Sequence, residues 1–204
     1  MPVPPLPPAA DAAEVADAAD AAEVAPSSLP PAAVPAGYQL RPAMPADVPA
    51  IVGLIQELAA YEQLSHLVET TPERLLPHLF GERPVAECQV IEARAGANAA
   101  PVLVAFALFF TNFSTFRCRP GLYLEDLYVQ PAHRGAGLGR VLLQALAALA
   151  VARDCGRFEW SVLDWNDPAI RFYQRMGAQV LPDWRICRVT GPALLALAAT
   201  PPAG

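Results

Sequence analysis

Glu125 and Asp126 stand side by side near the end of an apolar run, Leu122-Tyr-Leu-Glu-Asp-Leu-Tyr-Val129. The run leads into Gln130-Pro-Ala-His-Arg-Gly-Ala-Gly-Leu-Gly-Arg140, and an apolar helical pattern follows. Two kinds of chemistry meet here. Adjacent carboxylates can bind an ammonium group or accept its proton. A glycine-rich turn between a strand and a helix can hold phosphate. Glycine permits positive φ and close backbone approach, and amides without intrahelical acceptors face an anion that the helix dipole favours. On a regular strand Glu125 and Asp126 point to opposite faces, so only one of them faces a given cleft.

The elements that must position these groups are legible in the flanking pattern. Tyr38 to Arg41 reads as a short strand stopped by Pro42. Asp47 suits an N-cap for a helix whose buried face is Ile51, Leu54, Ile55, Leu58 and Tyr61. Thr71 and Pro72 suit the N-cap and first turn of a second helix, limited by Pro77 and Gly81. Cys88 to Ala95 and Val102 to Phe110 read as strands separated by a hairpin-like turn at Gly96 to Pro101. Thr111 to Gly121 reads as a loop exposing Phe113 and Phe116, and Leu122 to Val129 as the next strand. Leu138 to Asp154 is a buried helix and Arg157 to Leu163 a strand. Asp167 opens a helix holding Ile170, Phe172 and Tyr173, which Gly177 stops. Val180 to Val189 reads as a last strand or strand pair, and Pro192 to Ala199 as a terminal helix. The order β-α-α-β-β-β-α-β-α-β is a mixed α/β domain (α+β mixed sheet).

Residues 1–37 differ in composition from the rest. Proline clusters enclose an Ala/Asp/Glu/Val block in which Asp11-Ala-Ala-Glu-Val-Ala16 recurs as Asp20-Ala-Ala-Glu-Val-Ala25. The block lacks large side chains for a core and reads as a disordered or weakly helical tail. The folded domain is expected over 38–204. A net charge of −6 over 204 residues argues against a nucleic-acid partner. No apolar run is long enough to span a bilayer, and no basic leader precedes Arg41, so a cytoplasmic protein without a membrane partner is expected. Cys88, Cys118, Cys155 and Cys187 form no C-x-x-C pair and read as free thiols of a reducing compartment. His66, His78 and His133 are isolated, and no metal site is expected.

Arg134-Gly-Ala-Gly-Leu-Gly139 resembles the acyl-CoA pyrophosphate loop of the GCN5-related N-acetyltransferases. Leu58-Ala-Ala-Tyr-Glu62, Phe80-Gly-Glu82, Tyr123-Leu-Glu-Asp126, His133-Arg-Gly135, Trp165-Asn-Asp-Pro168, and Phe172-Tyr173 followed by Gly177 are similar, in order and spacing, to the diamine (spermidine/spermine) and thialysine acetyltransferase branch. The resemblance covers about Tyr38 to Val189. It implies the GNAT-type fold, with central strands that splay apart and open a cleft. It implies acetyl-CoA as acetyl donor, with no metal.

The same resemblance assigns roles. Arg134, Gly135, Ala136, Gly137, Leu138, Gly139 and Arg140 would bind the CoA pyrophosphate. The backbone of Leu127, Tyr128 and Val129 would pair with the pantetheine arm. Asn166 and the turn after it, with Pro168 and Ala169, would contact the same cofactor. Tyr173 would be the general acid for the leaving thiolate. Glu125 would bind the amine and take its proton, while Asp126 would be structural or would support the residues that touch the substrate. Tyr61 and Glu62 would contact the substrate, Glu62 supplying negative charge for a distal amino group. The implied activity is direct acetyl transfer, in a ternary complex, to a primary amine of a small molecule: a di- or polyamine or a thialysine-like amino acid. The implied assembly is a homodimer. Two alternatives stand beside it, a protein or peptide N-acetyltransferase and a non-catalytic acyl-CoA-binding module. The stretch Asn112 to Phe116 and the short link from Tyr173 to Trp184 depart from the polyamine enzymes.

Overall fold

The computed structural model describes residues 33–94, 96 and 100–199. The expected tail lies outside them except for residues 33–37, as do residues 97–99 of the expected turn. The described residues form two compact units, one ending at Asp167 and the other beginning at Pro168.

In the first unit one five-stranded sheet holds, in chain order across it, β1 (Tyr38–Pro42), β2 (Glu87–Ala93), β3 (Val102–Ser114), β4 (Arg119–Val129) and β5 (Arg157–Trp160). The first four strands pair antiparallel. The fifth joins β4 in parallel. A parallel neighbour requires a crossover, and α3 (Leu138–Ala152) makes it. The mixed α/β class expected from the sequence is the one observed.

β3 is the spine of the sheet. Its Leu103 to Ala107 are all buried, which matches an apolar run that needs cover on both faces. One face carries Val90, Phe106 and Tyr128 in a cluster with Ile51 and Leu54 of α1 (Val48–Tyr61) and Leu79 of α2 (Pro72–Phe80). α3 packs on β3, β4 and β5 and buries Leu138, Val141, Leu142, Leu143 and Leu146.

Several local expectations change. Thr111 to Gly121 is not a loop: β3 continues to Ser114 and β4 starts at Arg119, pairing Asn112 with Gly121 and Ser114 with Arg119. The hairpin turns without glycine, and Cys118 takes the left-handed conformation at φ +49. A Cβ at Gly121 would press on the side chains of Asn112 and Arg157, which would have to shift to admit it. Phe113 and Phe116 are exposed, as expected. Pro77 does not end α2, which runs on to Phe80; the proline removes one N–H donor, and the flanking turns tolerate it. Thr71 does cap α2, accepting the Arg74 N–H at 3.3 Å. Asp47 precedes α1 but does not cap it. Its carboxylate instead takes the Met44 N–H at 2.7 Å and a two-pronged bond from Arg41, at 2.6 and 2.9 Å.

In the second unit α4 (Asp167–Arg175), which starts one residue before the boundary, is followed by Gly177 at φ +94. The expected last strand over Val180 to Val189 is absent: none of these residues is in a strand. Pro182 has no N–H to offer a ladder, and Trp184 N–H turns back towards Leu181 O at 3.5 Å. The terminal helix is present as α5 (Gly191–Ala199). The order is therefore β-α-α-β-β-β-α-β-α-α.

The Arg41 network joins the end of β1, the entry to α1 and β2, since Arg41 Nε also donates to Glu92 at 3.0 Å. The Arg41 bond holds the Asp47 carboxyl below its ordinary value, against the opposing effect of burial. Asp47→Asn should cost about 3 kcal/mol by leaving Arg41 half-paired. A lowered carboxyl contributes stability above the unfolded carboxylate range and loses it as pH falls through the folded value. Denaturant titrations of both proteins should therefore differ most at neutral pH and converge in acid.

Candidate active site

β4 and β5 pair over a short stretch, from Gly121 with Arg157 to Leu124 with Trp160. The expected strand to Leu163 thus stops three residues early. Beyond Leu124, β4 continues to Val129 on β3 alone, so the β5-side edge of its last residues has no strand neighbour among the described residues. The ladder with β3 also shifts at this point. Leu108 faces Asp126 while Phe109 faces Leu124, which leaves Glu125 as the extra residue of a bulge. A bulge bends its strand and re-aims side chains. The strict alternation expected for Glu125 and Asp126 does not survive it. Near the apex of the gap, the Tyr123 hydroxyl and Ser161 Oγ share a hydrogen bond at 2.8 Å.

β4 leads into a single 3-10 turn, Pro131–His133, then into the glycine turn and α3. Gly135 and Gly137 adopt φ +83 and +82, as a turn of this kind requires. Val141 is the residue whose N–H reaches Gly137 O, at 3.1 Å. The amides just before it belong to the helix end that lacks intrahelical acceptors. A Cβ at Gly135 or Gly137 would meet nothing within 4 Å, so the space over the turn is open. Positive φ, an amide-lined helix start and open space fit a diphosphate. The edge of β4 that faces away from β3 over Leu127, Tyr128 and Val129 has no strand neighbour among the described residues and leads towards it, as an extended amide-bearing arm would need.

Arg134 departs from a simple phosphate ligand. Its Nε donates to Val129 O at 3.0 Å, and its guanidinium lies 5.0 Å from the Tyr61 ring centroid and 5.6 Å from that of Tyr128. Tyr61 ends α1. Its hydroxyl donates to Asn166 Oδ1 at 3.4 Å, and its ring lies 6.0 Å from that of Trp165. Burial, then the Glu57 carboxylate, pushes the Tyr128 phenol above its ordinary value.

The carboxylates form the other half of the site. Glu125 is exposed. Asp126 is pushed up from 3.8 to about 6, first by burial, then by the charges of Glu125 and Glu62. Burial also raises the Glu62 carboxyl. Asp126 therefore feels the charges of both Glu125 and Glu62 at the start of the gap. The three carboxylates do not converge into a metal site: among the described residues, no group of three His, Cys, Asp or Glu could hold an ion.

The first unit thus brings together Tyr61, Glu62, Glu125, Leu127 to Val129, Arg134 to Arg140 and Asn166. Pro168, Ala169 and Tyr173 lie on α4. There Tyr173 packs beside Phe172, ring centroids 5.4 Å apart, and its carbonyl accepts the N–H groups of Met176 and Ala178. The sequence reading missed Asp126 as a perturbed group, because its depth depends on the bulge. It also missed Trp165, although that residue sits in the Trp-Asn-Asp-Pro stretch, and Glu57, which accepts a bond from Gln130 at 2.9 Å.

A splayed mixed sheet with a phosphate cradle at its opening is the architecture of an acyl-CoA-dependent acyltransferase. Residues 56–178 match the acetyltransferase (GNAT) family, and the chain belongs to that family. It is 34% identical over 210 residues to an L-ornithine N5-acetyltransferase of Arabidopsis thaliana, spanning 82% of this chain and 92% of that one. It is 36% identical over 168 residues to the thialysine N-epsilon-acetyltransferase of Mus musculus, spanning 80% and 98%. A solved integron cassette protein from V. cholerae shares the fold with a TM-score of 0.66 at 22% identity, spanning 81% of this chain and all of that one. The protein is an N-acetyltransferase, in a family that takes its acetyl group from acetyl-CoA. No helix among the described residues is long and apolar enough to cross a membrane.

Gly137→Val should weaken CoA binding by tenfold or more, on the order of 1.4 kcal/mol, because the branched side chain enters the open space and resists φ +82. Calorimetric titration with CoA checks this, and an unchanged affinity in the folded variant removes the cradle. Asp126 carries the opposite stability sign to Asp47. A carboxyl raised when folded destabilises once ionised, so the penalty is absent below the unfolded value and complete above about 6. Asp126→Asn should therefore be more stable than the wild type at neutral pH and lose that advantage in acid, as read by thermal melts across pH.

Proposed function

We propose that the enzyme acetylates a primary amine of a small dicationic or polycationic molecule, such as an ornithine- or thialysine-like amino acid or a di- or polyamine. The observation that carries this reading is the acidic set Glu62, Glu125 and Asp126 beside the cleft, where the charges of Glu125 and Glu62 act on Asp126 and an ammonium group would offset them. The relatives acting on ornithine and thialysine support it, and they favour it over a peptide substrate or a non-catalytic module.

Acetyl-CoA, when bound, supplies an activated thioester carbonyl. The amides of Gly135 to Arg140 hold the pyrophosphate, with Arg134 adding positive charge. The backbone of Leu127, Tyr128 and Val129 aligns the pantetheine arm, and Asn166, Pro168 and Ala169 line the same ligand. Tyr61 and Glu62 receive the amine at the end of α1. Glu125 takes the ammonium proton, directly or through water, and Asp126 shares that task once ionised. The amine nitrogen then bonds to the acetyl carbon as the carbon–sulfur bond breaks; Tyr173 gives the proton that the sulfur takes up, and the second proton that the nitrogen sheds on becoming an amide restores the phenol, directly or through water. Holding both partners supplies the proximity that the reaction needs.

The enzyme acts as a homodimer in the cytosol. Exposed apolar residues of the second unit, Trp184, Ile186, Leu195 and Leu197 among them, support a covered surface in an assembly. The four cysteines carry no disulfide, which suits a reducing compartment.

CoA release should be measured with ornithine, thialysine, lysine, putrescine, spermidine and a lysine-bearing peptide. One of the small amines should turn over. Tyr173→Phe should lower kcat by about 100-fold with CoA affinity little changed, the size typical of losing a general acid. Equal loss of CoA binding would make Tyr173 structural. Turnover confined to the peptide would overturn the small-amine reading.

A further inference from the structure

Arg134 is exposed, yet its guanidinium is placed between two aromatic rings rather than over the open glycine turn. Nε is bonded to Val129 O, which ties the side chain to the end of β4. The nearer ring belongs to Tyr61, the last residue of α1. One turn earlier on the same helix, Glu57 accepts the bond from Gln130, the residue that starts the loop. On its other side Tyr61 reaches Asn166 and Trp165, beyond the end of β5. The last turn of α1 therefore touches both walls of the gap between the parted strands. On one wall it meets the 130–134 loop; on the other, residues 165–166.

An anion cradle made of backbone amides works only when the loop is already in its binding shape, since ordering it afterwards subtracts from affinity. A guanidinium held against a π face loses freedom while keeping its charge. It remains beside the cradle without occupying it.

We propose that Tyr61 is a positioning residue for the acetyl donor: through its stack with Arg134 it holds the phosphate loop in the shape that binds CoA. This role adds to its contact with the amine, and the inference rests on the acetyl-CoA reading above. It predicts that a residue of the amine subsite governs donor affinity when no amine is present, which a simple substrate contact would not do.

The test is calorimetric titration of CoA, without amine, into the wild type and folded variants. Tyr61→Leu should weaken CoA by about three- to tenfold, in line with a partly desolvated cation–π contact. Tyr61→Phe keeps the ring and should bind within about twofold of the wild type. Arg134→Lys, which loses the planar stack and the Nε bond, should weaken CoA as well. The Arg134→Lys/Tyr61→Leu double variant should then bind no worse than Arg134→Lys alone, because both changes break one contact. Tyr61→Met, with similar bulk and no π face, replaces the leucine variant if that one melts early. Wild-type affinity in Tyr61→Leu, or losses that multiply in the double variant, would overturn the inference. Failure of the wild type itself to bind CoA would strike the donor reading instead.

Discussion

The parting of β4 and β5 after Leu124 and Trp160 is the constraint on which the rest depends. A parallel pair that ran the full length of β4 would use up the strand's edge and leave nowhere for an extended ligand to lie. The short β5 and the Glu125 bulge occur at the same level of the sheet, so the strand bends where its neighbour leaves. The opening faces the carboxyl ends of the two parallel strands. There a glycine turn and a helix N-terminus already stand, because the crossover to β5 has to begin there. Backbone donors, a free strand edge and a cleft thus arise from one feature of topology.

That feature also sets the electrostatics. Asp126 follows the bulge, at a depth where its charge is poorly solvated, and Glu125 and Glu62 add negative potential to the same region. The chain tolerates a cost in stability there, as perturbed carboxylates at a cleft commonly do. Elsewhere the same sheet uses charge in the opposite way. The Arg41, Asp47 and Glu92 network compensates each carboxylate with a guanidinium and fastens the first strand to the first helix. One group of acids is compensated by a guanidinium, and the other lies together at the cleft.

Aromatic contacts join the two halves of the site. Tyr61 belongs by sequence to the helix that carries Glu62, but in space it rests against Arg134 of the phosphate loop and Asn166 beyond β5. The end of α1 therefore contacts residues on both sides of the cleft.

The sequence by itself determined what short-range chemistry controls. Gly135 and Gly137 had to be a turn because their backbone conformation is open to few other residues. The pattern of α3 and the capping by Thr71 follow from local spacing, and the ordered motifs from Leu58 to Gly177 were enough to indicate the family. The tertiary structure decided everything that depends on which strand lies beside which. The hairpin through Thr111 to Gly121 looked like a loop because polar Asn112 and Ser114 interrupt its apolar run, and only pairing across it makes a strand. The residues from Val180 to Val189 have strand-like composition, yet Pro182 and the turn at Trp184 leave them outside the sheet. The raised proton affinity of Asp126 and the stack of Arg134 on Tyr61 have no local signal at all. Burial and register come from contacts between residues far apart in the chain, and a one-residue bulge is enough to change which carboxylate lies deep.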